Sequence, residues 1–434
     1  MTSPNTFLSE KTALGTHATQ DKTPLEMLYQ WEKNNPSDIF LRQSLGEKGW
    51  EELTWQQVSD QVRRVANYIK NKNLPDSSNI AIWSTNNVDW VIVDLAIMLS
   101  GHVSVPLYPG QSVEGVQYIL AETECQLIFL GECHQEHQID EALPDDVQRI
   151  GIRGCKVPCH ASLSEVISES QPYAESPIPG HDQLMTIVYS SGTGGNPKGV
   201  THVHGTPAGL TPILARIFGL TTDEGQPTQA KLFSFLPLSH MAERGMVEMT
   251  ALYSNAPISF SAGLESFNQE IQEVQPTFFF AVPRLWHKFK SAIESKLGHL
   301  DPERLPDAHK AMIRQQLGLA EAHFIISASA PIPTLVQKWF LALGIMLREA
   351  YGMTETFSSG CCWYKDNLPE AGSVGTAHEG AEIKLSEEGE VLMRSKGMMT
   401  GYYKNPQLTA EVLTDGWFHT GDLGQLDSAG NLRI

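Results

Sequence analysis

Residues 189–199 read YSSGTGGNPKG, a glycine-rich loop that ends with one lysine behind a proline. The apolar run 186–189 that leads into it is typical of a buried strand, and the turn-forming residues that follow cannot continue that strand. Backbone N–H groups free of side chains, several hydroxyls and the Lys198 ammonium would form a cradle for an anion, best suited to phosphate. A flexible surface turn has a similar composition, so the loop alone leaves both interpretations open.

Two familiar phosphate-binding loops are excluded by their spacing. A Walker loop needs glycine directly before its lysine, where this chain has Pro197. A dinucleotide-binding fingerprint that begins at Gly192 needs glycine or alanine at that same place. The function of the loop therefore has to be inferred together with the rest of the chain.

The composition is that of a soluble globular enzyme without a nucleic-acid partner. With 434 residues, 41% of them hydrophobic, the chain is long enough for two or three domains. The net charge of −19 opposes binding to nucleic acid or anionic lipid through the overall field of the protein. Because the sequence has neither a signal-peptide pattern nor the ~18 uninterrupted apolar residues of a membrane span, we expect a cytoplasmic protein.

Six cysteines raise the question of a metal site. Two segments, GECH and GCKVPCH, have the residue types of a zinc cluster, and they hold Cys133, His134, Cys155, Cys159 and His160. Their spacing is not C-x-x-C, and a cytosolic chain of this size normally carries a few reduced thiols. We therefore favour unliganded cysteines, and we expect the adjacent Cys361 and Cys362 to pack in a core.

Strands and helices alternate along most of the chain. Periodicity predicts helices at 55–72 and 88–101 with strands at 79–84 and 103–108, and the alternation resumes after the polar stretch that ends at residue 183. This succession predicts mostly parallel sheets that helices cover on both faces. From about residue 374, short alternating segments separated by glycine predict antiparallel hairpins or a small barrel.

Pattern and composition together predict four regions. Residues 1–22 are short of apolar side chains and are expected to be disordered, and 23–180 is expected to form a first α/β subdomain. The Pro-rich stretch 168–183 is the predicted boundary. A second α/β subdomain with the predicted phosphate loop is expected at 181–350, followed by a β-rich subdomain at 351–434.

Four further segments carry side chains suited to a nucleotide. YGMTE at 351–355 offers an aromatic ring, a hydroxyl and a carboxylate, and TGD at 420–422 offers a carboxylate that can accept two ribose hydroxyls. PLSHMAER at 237–244 places His240 just past a strand, and SASAP at 327–331 has small residues that let a flat ring approach the backbone. Taken singly, each is as well explained as a helix cap, a hairpin turn or a structural histidine.

In this order and spacing, the segments resemble the adenylate-forming enzymes, which include acyl-CoA synthetases, adenylation domains and firefly-type luciferases. SVPLYPG at 104–110 and YYKNP at 402–406 add to the resemblance, which covers about 40–434. PLSHMAER and the segment FFFAVPRLWHKF at 278–289 are most similar to long-chain fatty acyl-CoA synthetases. The resemblance implies an α/β fold, the large N-terminal domain of adenylate-forming enzymes, with two mostly parallel helix-covered sheets and a small antiparallel barrel-like subdomain.

The resemblance also implies a two-step reaction with ATP, Mg²⁺ and coenzyme A. The carboxylate of a medium- to long-chain fatty acid attacks the α-phosphorus to give acyl-adenylate and pyrophosphate, and the thiol of coenzyme A then displaces AMP. Two other interpretations stay open: an acyl-AMP ligase that loads the phosphopantetheine of a carrier protein, and a nucleotide-binding relic with little activity. Peripheral membrane association and a homodimer are open alternatives at the level of the family.

Roles for individual residues follow from the same resemblance. The β- and γ-phosphates are expected to contact Ser190, Ser191, Gly192, Thr193, Gly194, Gly195 and Lys198. Thr354 is expected to contact the α-phosphate, Glu355 to bind Mg²⁺ and Asp422 to accept both ribose hydroxyls. His240 is the candidate contact of the acyl carboxylate. The adenine is expected to lie against Tyr351, Gly352, Ala328, Ser329 and Ala330.

Two departures from the family pattern bear on activity. Most members have threonine at the position of Gly194, so this loop lacks one hydroxyl donor and is expected to be more mobile. Most members also continue past GNLRI at 430–434 into a hinge and a small C-terminal domain that supplies an arginine and a lysine to the reaction. We therefore expect a truncated or processed chain that adenylates poorly and forms no thioester.

Overall fold

A computed structural model describes residues 21–134, 139–190, 196–298, 301–364 and 369–434. Strands and helices alternate through these ranges, as the sequence predicts. The strands before residue 270 are β1 (Ile39–Ser44), β2 (Trp50–Thr54), β3 (Asn79–Trp83), β4 (Val103–Leu107), β5 (Leu127–Leu130), β6 (Gln148–Gly151), β7 (Ala161–Ser162), β8 (Leu184–Ser190), β9 (Lys198–Val203), β10 (Leu232–Ser234) and β11 (Ile258–Phe260). The later strands are β12 (Phe278–Ala281), β13 (Phe324–Ser327), β14 (Leu347–Gly352), β15 (Gly360–Cys362), β16 (Thr376–Ala377), β17 (Ala381–Leu385), β18 (Glu390–Ser395), β19 (Gly401–Tyr402), β20 (Leu413–Thr414), β21 (Trp417–Leu423), β22 (Gln425–Leu426) and β23 (Leu432–Arg433).

The α-helices, in chain order, are α1 (Pro24–Asn34), α2 (Trp55–Lys70), α3 (Val88–Leu99), α4 (Val113–Thr123), α5 (Ile139–Ala142), α6 (Leu163–Glu169), α7 (Gly205–Ile217), α8 (Met241–Glu243), α9 (Thr250–Ser254), α10 (Phe267–Val274), α11 (Pro283–Leu297), α12 (Asp307–Gln316), α13 (Thr334–Ala342) and α14 (Pro406–Val412). Short 3-10 helices lie at Gly46–Lys48, Pro302–Arg304 and Thr354–Thr356, and a π-helix lies at Arg244–Met249. None of the described helices combines the length and the apolar character that a bilayer crossing requires.

Helix starts follow from local capping chemistry. The Thr54 hydroxyl accepts a hydrogen bond from the Gln57 N–H, and the Gln57 side chain accepts one from the Thr54 N–H, so α2 begins with a capping box. α3 begins after Asn87, whose side chain accepts from the Trp90 N–H. The sequence thus locates the starts of these two helices, although both end two residues before the predicted position.

An eight-stranded sheet in the order β19-β9-β8-β4-β3-β5-β6-β7 supports the predicted phosphate loop. The strands from β8 to β7 are parallel, while β9 and β19 are antiparallel to their neighbours at one edge. β4 and β5 are buried along their whole length, as expected for parallel strands covered on both faces. Strands from both sides of the stretch 168–183 belong to this sheet, and the division into subdomains stays a prediction.

Four smaller sheets complete the architecture. β12, β13 and β14 are parallel and continue into the antiparallel β15 and β16. β10, β11 and β1 are parallel, with β2 antiparallel at the edge. The antiparallel sheet β17-β18-β21-β20 and the pair β22-β23 form the predicted glycine-punctuated region. Cys361 and Cys362 are buried, as expected, and Cys361 packs with Val374 and Val391.

The apolar run 231–237 is typical of a strand, but the strand that it forms is short. The apolar run 231–237 forms a strand only over Leu232–Ser234. The next N–H, of Phe235, donates to the side-chain oxygen Oε1 of Glu243 at 3.3 Å, and the Leu236 carbonyl accepts from the Asn86 side chain. Side chains therefore form the hydrogen bonds with Phe235 and Leu236 that a neighbouring strand would otherwise form, and the strand ends before the segment that contains His240.

Candidate active site

The predicted phosphate loop connects two antiparallel strands of the large sheet. β8 ends at Ser190 and β9 begins at Lys198, and these two residues are partners across the ladder. The intervening Ser191, Gly192, Thr193, Gly194 and Gly195 lie outside the described residues, so their contacts stay predictions. The structure locates the two ends of the loop, beside the strand β19 that pairs with β9.

The Lys198 ammonium lies over an aromatic ring. Its Nζ is 5.6 Å from the ring centroid of Tyr402, a β19 residue that pairs with Val200 on the same strand as Lys198. Such a contact attracts the cation without neutralising it. Lys198 forms no salt bridge within the described ranges, so its positive charge remains available to an anionic ligand.

Tyr402 also contacts the carboxylate of Glu355. Its hydroxyl donates to Glu355 Oε1 at 2.8 Å, and the Glu355 carbonyl accepts from the Met399 N–H at 2.7 Å. Burial, together with the Glu355 charge, raises the pKa of Tyr402 well above its ordinary range, so the phenol stays a donor. One tyrosine ring thus connects the cation at the end of the predicted phosphate loop with the carboxylate of the YGMTE segment.

The turn that carries Thr354 and Glu355 rests on a buried histidine. The Thr354 carbonyl lies 2.8 Å from His202 Nε2. Since a carbonyl oxygen only accepts, this nitrogen carries the hydrogen and the neutral ring donates it. His202 is fully buried, and desolvation lowers its pKa to about 4.

A second hydrogen bond connects the YGMTE and TGD segments. The Tyr351 hydroxyl donates to Asp422 Oδ2 at 2.7 Å, across 71 residues of sequence. Burial is the main cause that raises the pKa of Tyr351 far above its usual range. Asp422 follows Gly421, whose φ of 77° is in the left-handed region that favours glycine. This contact places the carboxylate beside the aromatic ring.

The SASAP segment emerges next to the strand that carries Tyr351. β13 and β14 are parallel, with Ser327 opposite Glu349, so the residues after each strand leave the sheet at the same edge. Ala328 is buried, whereas Ser329 and Ala330 are exposed, and Ser329 adopts a φ of 70°. Small side chains therefore face solvent beside the start of the YGMTE segment, where Gly352 ends β14.

His240 lies at the start of the helix that contains the π-helical turn. Its Nδ1 accepts from the Ala242 N–H at 3.2 Å, and desolvation lowers its pKa although the residue is exposed to solvent. Five residues later, a Cβ built on Gly245 would lie 3.3 Å from the Phe357 ring. The helix therefore packs against the turn after Glu355, but His240 itself forms no hydrogen bond to Thr354 or Glu355.

A buried ion pair lies beneath this helix. Arg244 donates to both oxygens of Asp94, at 2.8 and 2.7 Å, and to the Thr186 hydroxyl at 2.6 Å. All three residues are fully buried. Glu248 lies beside the pair, and burial together with the Asp94 charge raises its pKa well above its ordinary range. Arg244 thus connects the π-helix with α3 and with the strand that enters the phosphate loop.

Sequence reasoning missed the two residues that connect the site. Tyr402 entered the sequence analysis only as part of YYKNP, and nothing in that segment predicts a contact with Glu355. His202 lies in a buried strand four residues after Lys198, where a histidine has no characteristic spacing. The cysteine segments do not form a site with three ligands: no group of three or more His, Cys, Asp or Glu side chains gathers within the described ranges.

A separate cavity of about 570 Å³ opens at the carboxyl ends of β3–β6 and beside β10 and β11. Its lining includes Asn86, Tyr108, Arg153, Phe235 and Leu264. None of the predicted site residues lines it. The carboxyl ends of parallel strands are a common place for ligands, but Arg153 in this cavity is already paired with Glu51 at 2.7 Å.

Comparison with known proteins identifies relatives across almost the whole chain. The sequence profile of the AMP-binding enzymes matches residues 28–403. Long-chain-fatty-acid–CoA ligase FadD15 of Mycobacterium bovis is 26% identical over 94% of this chain and 73% of its own length. Long-chain-fatty-acid–CoA ligase ACSBG2 of Rattus norvegicus is 28% identical over 89% of this chain, and the chain spans 66% of that relative.

Solved structures share the fold. The N-terminal domain of FACL13 from Mycobacterium tuberculosis superposes with a TM-score of 0.77 at 23% identity, over 95% of this chain and 99% of that domain. MatB from Rhodopseudomonas palustris superposes with a TM-score of 0.78 at 19% identity, over 95% of this chain and 78% of MatB. These superpositions confirm the predicted fold class, an α/β chain with several mostly parallel sheets.

Proposed function

Because the chain belongs to the AMP-binding enzyme family, we propose that it activates a medium- to long-chain fatty acid with ATP. The acid becomes an acyl-adenylate, which the intact enzyme transfers to coenzyme A. The names of the relatives support this substrate class, since several are long-chain fatty acyl-CoA ligases or synthetases. The observation that carries the proposal is the chain of contacts from Lys198 through Tyr402 to Glu355.

The main physical problem of the first step is charge. An anionic carboxylate oxygen has to attack the α-phosphorus of a triphosphate, while the bond from that phosphorus to the β-phosphate oxygen breaks. Groups fixed in advance where negative charge collects lower the barrier to such a step. The Lys198 cation at the end of the phosphate loop is suited to the β- and γ-phosphates, together with the hydroxyls and N–H groups of 190–195.

Glu355 is suited to Mg²⁺. One carboxylate oxygen accepts from Tyr402, and no described residue donates to the other, which leaves a hard oxygen ligand. Magnesium in nucleotide sites commonly takes one or two carboxylates and completes its shell with phosphate oxygens and water. Bound there, the ion would neutralise charge on the phosphates, while Thr354 would offer its hydroxyl to the α-phosphate.

The nucleoside would lie between the YGMTE, TGD and SASAP segments. The Tyr351 ring would stack on adenine beside Ala328–Ala330 and Gly352, and Asp422 would accept the ribose hydroxyls. Asp422 Oδ2 already accepts from Tyr351, so its second oxygen and one remaining lone pair are available. His240, neutral near pH 7 because desolvation lowers its pKa, would donate to the acyl carboxylate.

ATP–pyrophosphate exchange tests the proposal. Labelled pyrophosphate enters ATP only when a bound acid forms an acyl-adenylate reversibly. We expect exchange with acids of medium to long chain that depends on Mg²⁺ and is much weaker with acetate. An intact enzyme that exchanges with no acid from C2 to C18 would be a nucleotide-binding relic, and exchange with acetate alone would contradict the proposed substrate class.

The second step is tested by the choice of thiol. Coenzyme A and a phosphopantetheine-loaded carrier protein are offered in parallel, and acyl-thioester is measured by mass spectrometry. We expect thioester with coenzyme A from the intact enzyme. Thioester on the carrier protein alone would reassign the enzyme as a carrier-loading ligase.

A further inference from the structure

We propose that His202 is a positioning residue that fixes the Thr354–Glu355 turn for the adenylation step. It acts by donating its Nε2–H to the Thr354 carbonyl. The inference rests on the proposed function, because it concerns how the same site holds its carboxylate. It adds a residue outside all five of the segments from which the function was predicted.

The imidazole contacts both ends of the turn. Its Nε2 lies 2.8 Å from the Thr354 oxygen, and its ring lies edge-on against Phe357, with centroids 5.1 Å apart and planes at 85°. Phe357 adopts a φ of 54°, a left-handed conformation that is unfavourable for a residue with a side chain. One buried ring therefore supports the turn that carries Glu355 and the strained residue that closes it.

The cost of this arrangement argues against simple core filling. Neutral His202 keeps its other nitrogen, Nδ1, as an acceptor, and that atom is buried without a hydrogen-bond partner in the described part of the chain. An unsatisfied buried acceptor destabilises the folded protein. A leucine would fill the same buried position without this cost, so the contact with Thr354 is what the histidine adds.

β9 and its neighbour β19 hold the Thr354–Glu355 turn from two directions. His202 on this strand contacts the backbone just before Glu355, and Tyr402, which pairs with Val200 on the same strand, contacts the Glu355 carboxylate. Lys198 begins the strand. The position of the carboxylate relative to the Lys198 cation is thereby fixed by two paired strands, β9 and β19, as an electrostatic site fixed in advance requires.

The experiment compares His202→Gln with His202→Leu in the whole chain. The glutamine amide nitrogen reaches about as far as Nε2 and can still donate, whereas leucine fills space without a donor. We expect His202→Leu to raise the Mg²⁺ concentration for half-maximal ATP–pyrophosphate exchange and to lower the maximal rate. The ratio of the maximal rate to that Mg²⁺ concentration should fall about tenfold. His202→Gln should stay within about threefold of wild type, and the KM for fatty acid should change in neither variant.

A second measurement does not depend on activity. Amide hydrogen exchange followed by mass spectrometry reports on the peptide that covers 353–359. We expect faster exchange of this peptide in His202→Leu than in His202→Gln, without nucleotide or metal present. This measurement separates the two proposals. Absence of ATP–pyrophosphate exchange would refute the proposed function, whereas the hydrogen exchange of peptide 353–359 would still test the role of His202.

His204→Leu is the matched control. His204 is equally buried, follows two residues later and forms no hydrogen bond with the turn. This variant is expected to lower the melting temperature but to leave the Mg²⁺ requirement and the peptide 353–359 unchanged. The inference is overturned if His204→Leu produces the same effects as His202→Leu, if glutamine rescues no better than leucine, or if His202→Leu behaves as wild type.

Discussion

At the scale of single residues, Tyr402 shows how the site connects segments that are far apart in sequence. Its ring lies below the Lys198 ammonium and its hydroxyl donates to Glu355, so it occupies the space between the two charges. The Tyr351 hydroxyl likewise donates to a carboxylate, that of Asp422. Both phenols stay protonated because burial raises their pKa values, and each therefore orients a carboxylate without adding charge.

Asp422→Ala should weaken ATP binding by about ten- to a hundredfold. A hydrogen bond to a charged group typically contributes ~1.5–3 kcal/mol, and ~1.4 kcal/mol corresponds to a factor of ten in affinity. Calorimetric titration with Mg-ATP measures the change. Alanine at Asp223, an exposed carboxylate in the loop after α7, serves as the control and should leave the affinity unchanged. Equal affinities of Asp422→Ala and wild type would refute the ribose assignment.

Glu355→Gln should abolish Mg²⁺-dependent adenylation and leave the fold intact. The amide oxygen can still accept from Tyr402, so the packing is preserved while the charged ligand of the metal is lost. Pyrophosphate exchange measured across Mg²⁺ concentrations, together with the melting temperature, checks both parts. Full exchange activity in this variant would contradict the role of Glu355.

At the scale of elements, the helix that begins at His240 carries a buried carboxylic acid. Burial raises the pKa of Glu243 to about 8, from an ordinary value of 4.5. Between these two pH values the folded protein keeps a proton that the unfolded chain releases. The stability associated with this group is therefore greatest below about pH 4.5 and is lost as the pH rises toward 8.

Glu243→Gln should remove the loss of folded stability between pH 4.5 and pH 8. The amide has a similar shape, can accept from Ser234 and cannot ionise. We expect the variant to melt a few degrees above wild type at pH 8.5 and at the same temperature at pH 5, since each unit of pKa shift corresponds to about 1.4 kcal/mol. The exposed Glu387→Gln should show no such difference. A variant less stable than wild type at pH 8.5 would show that Glu243 is ionised and needed.

Most of these elements could be predicted from sequence, because capping residues and periodicity are local properties. α2 and α3 begin where Thr54 and Asn87 cap them, and the hairpin of β17 and β18 follows its glycine punctuation. The π-helix at Arg244–Met249 has no local signal, since its extra residue per turn is stabilised by tertiary contacts such as the ion pair with Asp94. The early end of β10 also has no local signal, because it depends on hydrogen bonds of Phe235 and Leu236 with the distant side chains of Glu243 and Asn86.

At the scale of the whole molecule, two buried histidines make stability depend on pH at the acidic end. Desolvation lowers the pKa of His202 to about 4 and that of His204 to about 3. Below an unfolded value of about 6.5, the unfolded chain binds protons that the folded protein does not. Folded stability therefore falls as the pH decreases from about 6.5.

His204→Gln should reduce this pH dependence by up to about 1.4 kcal/mol per pH unit between pH 6 and pH 4. Urea unfolding at several pH values measures the slope. The exposed His309→Gln is expected to retain the wild-type slope. A slope that is the same in His204→Gln and wild type would mean that His204 is protonated in the folded protein.

The candidate site could be proposed from sequence because its segments carry charged and small residues in a recognisable order. Lys198, Glu355 and Asp422 could each be named from sequence, but the contacts between them could not. Tyr402 and His202 act through tertiary distances that no spacing encodes, and their neighbours in sequence are ordinary strand residues. The segments thus predict which groups belong to the candidate site, and only the fold shows which of these groups are in contact.

The most direct test compares two ligands on two variants by calorimetry. One ligand is Mg-ATP, and the other is a stable acyl-adenylate mimic with a sulfamate in place of the phosphate, which has no β- or γ-phosphate. We predict that Lys198→Met weakens ATP binding but not binding of the mimic, whereas Asp422→Ala weakens both by at least about tenfold. Wild-type protein that binds neither ligand, or variants that bind both as wild type does, would contradict the assignment of these residues to one nucleotide site.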